Sequence, residues 1–304
     1  MQGVQRYRHF RPRVPQPMTD RSSPAADPGD PRPSPEAVVR HYSRNGDWAP
    51  RITQLMREHG LDPGDPEAMA PLEQLHLGGH EATRALADWA GIAGGRVLDV
   101  GCGIGGPARM LAHGFGCTVT GIDLTPGYCR DAAVLSRQVG LSARTRFACA
   151  SAHDLPFSDA CFPWAWTQHA AMNIPDKRAM YAEIARVLEP GGRLVLHDIV
   201  AGPGREPYFP VPWASTPDAS FLLPARGVHE LLRAVGLRER AWEDLTKAAV
   251  RRVQDARARM RAGEPEGLGP HLLQGAEFLE MRRNLARNLE EGRVGVVRAV
   301  FEKA

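Results

Sequence analysis

Arg96-Val-Leu-Asp-Val-Gly-Cys-Gly-Ile-Gly-Gly-Pro-Ala-Arg109 decides the fold, because an apolar strand runs into a glycine-rich turn and then into a helix. Val97, Leu98 and Val100 make a short strand of the type buried on both faces of a parallel sheet. Gly101, Gly103, Gly105 and Gly106 let the backbone turn tightly and approach a ligand, and Pro107 suits the first turn of the next helix. These glycines satisfy the Gly-x-Gly-x-x-Gly spacing, which fits NAD, FAD and S-adenosylmethionine alike. Asp99 discriminates among them: a carboxylate beside the turn repels a pyrophosphate and attracts the ammonium and sulfonium of S-adenosylmethionine. The sign of that charge favours the methyl donor over a nicotinamide cofactor.

Downstream, Cys117-Thr-Val-Thr-Gly-Ile-Asp123 reads as a second strand that ends in an acid about 20 residues past the turn, placed to accept both hydroxyls of a ribose. A helix over 126–139, a strand over 145–150, a loop over 151–157, a strand over 161–167, a helix over 176–188 and a strand over 192–199 follow. Pro163 weakens the fourth strand, since proline is confined mainly to strand starts and edges. The alternation predicts an α/β fold with a doubly wound parallel sheet, whose ligands bind beyond the carboxyl ends of the strands. Asp99, Asp123, Ser151 and Gln168 all fall there. Past Gly202 come the Pro- and aromatic-rich Tyr208-Phe-Pro-Val-Pro-Trp213, a helix over 225–235 and a strand over 237–245. Two helices, over 246–261 and 270–289, precede a last apolar strand over 294–301. The segment 246–290 is thus an insertion before the last strand, a helical cap that covers a site or makes an interface.

At the other end, eight prolines among Arg, Asp and Ser make residues 1–36 a disordered tail. The domain occupies 37–304, with short helices over 36–42 and 52–59, a stop at Gly60, and a helix over 81–89 whose Ala82, Leu86 and Trp89 share a face. Residues 37–80 are read as an N-terminal helical lid, although Tyr42, Trp48 and His76, taken as lone residues, read as helix packing before they read as lid. Lys and Arg number 38 against 35 Asp and Glu, a net charge of +3 without a basic block, which excludes a nucleic-acid surface and points to small-molecule partners. Five cysteines without a Cys-x-x-Cys indicate neither disulfides nor zinc and fit a reducing, cytoplasmic setting; Cys102 reads as an apolar filler. No apolar run reaches the roughly 20 residues that span a bilayer.

Val97-Leu-Asp-Val-Gly-Cys-Gly-Ile-Gly-Gly106, Gly121-Ile-Asp-Leu-Thr125, Asp154-Leu-Pro-Phe157 and Leu188-Glu-Pro-Gly-Gly192, in that order, resemble the class I S-adenosylmethionine-dependent methyltransferases. Trp166-Thr-Gln-His-Ala-Ala-Met-Asn-Ile174 with Phe209-Pro-Val-Pro-Trp213 looks more narrowly like the sarcosine/dimethylglycine N-methyltransferase branch. The broad resemblance, over about residues 70–304, implies a seven-stranded sheet with an antiparallel last strand. It puts the methionine part of the cofactor against Asp99, Gly101 and Gly103, the ribose on Asp123, and the adenine near Leu124, Ser151 and Ala152, with Gln168 closing the site. Ser151 and Pro163 stand where the family often has acids.

Methyl transfer is an in-line displacement at an activated carbon, so the protein has chiefly to align an electron pair and exclude water. A hydroxyl or ammonium acceptor must also lose a proton, and His169 at the strand end is the candidate base, with hydrogen bonding of a loop as its competing role. Asn173, Tyr208 and Trp213 are the candidate substrate contacts; the two aromatic faces suit a cationic amine, or else pack the proline-rich loop. The expected activity is methylation of a small-molecule amine, with O- or C-methylation of a specialised metabolite as the alternative. A nicotinamide oxidoreductase and a catalytically silent binding protein, possible on the same fold, are the competing classes, and a homo-oligomer is left open.

Overall fold

The computed structural model describes Tyr42 and residues 47–304. The tail expected over 1–36 and all but Tyr42 of the helix expected over 36–42 lie outside the described residues. Three helices, α1 (Trp48–Glu58), α2 (Pro66–Glu73) and α3 (Gly79–Ala90), lead into β1 (Gly95–Val100). The alternating body follows as α4 (Gly106–Gly114), β2 (Cys117–Asp123), α5 (Pro126–Gln138), β3 (Thr145–Cys149), β4 (Phe162–Gln168), α6 (Lys177–Val187) and β5 (Leu188–Ala201). It closes with α7 (Ala225–Ala234), β6 (Leu237–Asp244), α8 (Thr246–Arg261), α9 (Ala276–Glu290) and β7 (Val294–Lys303).

The seven strands lie in the order β3-β2-β1-β4-β5-β7-β6. β1 pairs in parallel with β2 and β4, while β7 runs antiparallel between β5 and β6. β1 is central, and its alternate residues face opposite layers, as a strand's period of two requires. Leu98 and Val100 pack with Met180 and Ile184 of α6, whereas Val97 packs with Leu86 of α3 and Leu111 of α4. Burying each such side chain contributes about 1.5–3 kcal/mol, which is why this stretch stays strand whatever its neighbours prefer.

Four details depart from the sequence reading. Pro163 sits inside β4, between two neighbours, at a register shift between Phe162 and Trp164; a bulge removes the need for its missing N–H. α2 was not expected: Asp65 caps it by accepting from the Glu67 amide at 2.9 Å, and Pro66 opens it. In α3 the buried stripe is Thr83, Leu86, Ala87 and Ala90, with Ala82 and Trp89 only half-buried. The helix expected over 270–289 is broken into a short turn, Pro270–Leu272, and α9, with Gly275 in extended conformation between them. No helix among the described residues is long and apolar enough to cross a membrane.

The glycine turn is held from below and from the side. The Gly101 and Cys102 amides both donate to Ile122 O at 2.9 Å, which ties the turn to the end of β2. Arg109 of α4, buried, pairs with buried Glu73 at the end of α2 at 2.6 Å and donates also to Ile104 O within the turn and to Ala132 O and Ser136 Oγ on α5. Removing one member of a buried pair strands the other charge in a medium that cannot solvate it. Glu73→Ala should therefore lower unfolding stability by about 3–5 kcal/mol, read as a shifted urea midpoint. An unchanged midpoint would mean that Arg109 is solvated in some other way.

Candidate functional site

A cavity of about 1010 Å³ opens at the carboxyl ends of β1, β2 and β4. Its floor is the glycine turn, its roof the loop from α2 to α3, and its outer wall α8 and α9. The turn reaches it only because Gly101 has φ +80° and a Cβ there would stand 2.4 Å from the Ala170 Cβ. No other residue type fits that approach.

Asp123 lines the inner end of the cavity, whereas Asp99, on the adjacent strand and two residues before the turn, is buried beside it without lining it. Asp99 is 1% exposed, and its Oδ2 has no hydrogen-bond partner. Burial, with the Asp123 charge adding to it, pushes its pKa up to about 8. A buried acceptor without a donor is costly, and a cation or an N–H placed there relieves the cost. Asp123, at the tip of β2, accepts from the Gly103 amide at 3.0 Å and from the Thr125 amide at 2.8 Å. Those two bonds fix its orientation beside the cavity and leave acceptor capacity on both oxygens. Burial raises its pKa too. Leu124, Ser151 and Ala152 line the wall beyond it, with Leu124 exposed. The Ser151 hydroxyl accepts from the His153 amide at 3.2 Å, so it shapes its own loop as well as the wall. The orphaned Asp99 oxygen, the open glycine turn and the acid at the β2 tip fit a ligand with a cationic end and a ribose.

Midway along the cavity stand Gln168 and His169. Gln168 is buried, its Oε1 accepting from Thr83 Oγ1 at 3.2 Å and its Nε2 3.3 Å from His76 Nδ1. β4 ends there. His169 takes a left-handed backbone with φ +52°, a conformation uncommon for a residue with a Cβ, while its amide donates to His197 O at 2.9 Å. Its ring lies 4.8 Å from the His197 ring and 5.6 Å from the His76 ring, and its Nε2 has no partner. Burial holds all three imidazoles neutral: His76 falls to about 4 and His197 to about 3, and His169 falls well below its ordinary value, with its two neighbours adding to the shift.

The proposed substrate contacts separate. Trp213 lines the cavity, buried, with its indole N–H donating to Ser220 Oγ at 2.9 Å. Asn173 lines it too, but its side chain is occupied: Oδ1 accepts from the Tyr42 hydroxyl at 2.7 Å, and Nδ2 donates to Trp213 O and Ala219 O. Asn173 thus positions the Trp213 loop. Tyr208 does not line the cavity; its ring is sandwiched by the guanidiniums of Arg287 and Arg293, 3.7 and 3.9 Å from the ring centre, and its hydroxyl accepts from both. The cations it attracts are the chain's own. Of the three lid residues, Tyr42 and His76 line the cavity, whereas Trp48 is core, packed edge-on against Tyr128 at 6.5 Å. Sequence reasoning missed His197 and Thr83 altogether; both sit at ordinary interior positions, and only the packing of β5 and α3 beside β4 brings them to His169 and Gln168.

Residues 98–196 match the family model described as a methyltransferase domain. The methyltransferase GfsG of Streptomyces halstedii is 36% identical over 168 residues, 52% of this chain and 59% of that protein. The 27-O-demethylrifamycin SV methyltransferase of Amycolatopsis mediterranei is 33% identical over 177 residues, 57% of this chain and 61% of that one. The chain thus spans less than two thirds of the length of these curated relatives. Among solved structures, the cyclase SpnF is 26% identical, with a TM-score of 0.62 over 90% of this chain and 98% of that one. Other neighbours of the same fold are bound to S-adenosylmethionine or S-adenosylhomocysteine.

Two measurements probe the inner end. At pH 7 most of the free protein holds Asp99 protonated, and a cation beside it demands the carboxylate. Binding of S-adenosylmethionine should then release close to one proton at pH 7 and tighten as pH rises towards about 8. Calorimetry in buffers of different ionisation enthalpy reads the proton, and Asp99→Asn should abolish its release. Asp123→Ala should weaken S-adenosylhomocysteine by about 1.5–3 kcal/mol through loss of charged hydrogen bonds; undiminished affinity would place the ribose elsewhere.

Proposed function

On a chain that carries a class I S-adenosylmethionine-dependent methyltransferase domain, we propose O-methylation of a hydroxyl on a large, mainly apolar small molecule, with His169 taking the proton. The observation that carries this reading is the strained, neutral His169 at the midpoint of the cavity with its Nε2 unpartnered.

The cofactor supplies, when bound, a methyl group activated by a sulfonium. Asp99 would neutralise its cationic end, the glycine turn would let it approach the backbone, and Asp123 would hold its ribose hydroxyls. Gln168, fixed by Thr83 and His76, walls off water between the two halves of the cavity. His169 orients the acceptor hydroxyl by accepting its hydrogen bond. An alcohol oxygen that has given a lone pair to carbon becomes a strong acid, so even an imidazole of lowered pKa takes its proton. The same lowered pKa keeps His169 in the basic form over the whole neutral range. Because burial and two imidazole neighbours disfavour the imidazolium, proton transfer follows bond formation instead of preceding it.

Size and charge support a bulky hydroxyl acceptor over a small amine. A cavity of about 1010 Å³ is at the upper end of the range for small-molecule sites and leaves room for a bulky acceptor beside the cofactor. Met172, Trp213, Phe221 and Leu285 supply apolar walls. The expected aromatic pair for a cationic amine is reduced to Trp213, and of the five arginines that line the outer end Arg259 and Arg283 have no carboxylate partner among the described residues, a local excess of positive charge that disfavours an ammonium. The relative from Amycolatopsis mediterranei, named as a 27-O-demethylrifamycin SV methyltransferase, agrees with this choice.

His169→Ala should lower turnover about 10²- to 10⁴-fold on a hydroxyl acceptor, with KM little changed. In the wild type the acid limb of the rate should lie below the ordinary histidine value of 6.5, since the base is active deprotonated and its pKa is lowered. Release of S-adenosylhomocysteine, screened over apolar alcohols, phenols and amines, reads both. Turnover with amines alone that survives loss of His169 would restore the N-methyl reading. Tight cofactor binding with no release for any acceptor would favour a non-transferring role such as the cyclase named for SpnF.

A further inference from the structure

The insertion formed by α8 and α9 lines the outer end of the cavity with Arg252, Arg257, Arg259, Arg282 and Arg283. Three are matched by carboxylates: Arg252 pairs with Glu81 at 2.8 Å, Arg257 with Glu290 at 2.9 Å and Arg282 with Glu266 at 2.5 Å. Arg259 and Arg283, on different helices, are exposed and have no ion pair among the described residues; Arg259 only adds at a distance to the ionisation of Glu81. The same lining carries two large exposed apolar side chains. Met260 and Leu279 are 60% and 46% exposed. Large apolar side chains left in water beside unmatched guanidiniums mark a surface that waits for a ligand combining both characters.

We propose that the acceptor is amphiphilic, carrying an oxyanion, carboxylate or phosphate, at the end remote from the methylated hydroxyl, and that Arg259 and Arg283 hold that group while Met260 and Leu279 cover the adjoining chain. This rests on the methyltransferase reading above and adds the charge of the substrate to it. The two guanidiniums offer forked donors to an oxyanion, and their exposure makes each contact modest and salt-sensitive.

The test uses the full chain saturated with S-adenosylhomocysteine and two fluorescent probes that differ only in charge, dansyl-undecanoate and its methyl ester. The acid should bind about tenfold more tightly than the ester at low salt, and the ratio should shrink as ionic strength rises. In the double variant Arg259→Gln with Arg283→Gln, acid and ester should bind alike, at the ester's wild-type affinity, with S-adenosylhomocysteine binding unchanged. Displacement by dodecanoate against dodecyl phosphate then tells which oxyanion is preferred. Equal affinity of acid and ester for the wild type, or a preference that persists in the double variant, would overturn the proposal while leaving the methyltransferase reading intact. Failure to bind S-adenosylhomocysteine at all would overturn that reading, and this inference with it.

Discussion

The buried pair between Arg109 and Glu73 is the constraint on which the rest depends. It joins the end of α2 to the first turns of α4, and the same guanidinium reaches Ile104 O inside the glycine turn and two acceptors on α5. A buried ion pair adds little net stability over well-packed apolar side chains, since desolvation offsets most of the attraction. Its effect here is positional. A Cβ on Gly106 would stand 2.6 Å from Glu73 O, so α2 lies directly on the turn and the loop that follows it must pass over the cavity. Gln74 and His76 reach the middle of the site from that loop.

The cavity so formed changes its electrostatic character along its length. At the inner end Asp99 and Asp123 stand on adjacent strands, the Asp123 charge adds to the cost of ionising buried Asp99, and a cation there removes the conflict. In the middle three imidazoles are kept neutral by burial, which preserves a lone pair for a proton without placing a charge near the reacting carbon. At the outer end guanidiniums outnumber the carboxylates that match them. A molecule that is cationic at one end and an amphiphile with an anionic tail at the other would each meet its complement.

Tyr208 and Trp213 illustrate why residue type alone underdetermines a site. Both are aromatic residues of one proline-rich segment, and both suit a cation in principle. The loop turns between them, so that Trp213 faces the cavity while Tyr208 faces α9 and is claimed by Arg287 and Arg293. Asn173 likewise stands on the cavity wall, yet its amide is spent on Tyr42 and on the backbone of the Trp213 loop.

What the sequence determined by itself is what depends on near neighbours in the chain. The strand, glycine turn and helix of 96–109, the acid at the tip of β2, the alternation that makes the sheet and the helical insertion before the last strand are all local patterns of burial period and backbone freedom. The tertiary structure alone decided which distant groups share one space. His76, His169 and His197 meet only because α2's loop, β4 and β5 converge, and the left-handed turn of His169 comes from that packing and not from its flanking residues. Pro163 within β4, tolerated through a bulge, and Asp99's orphaned oxygen have the same origin. Burial and long-range juxtaposition set the energy of a polar group, and neither is written in the residues beside it.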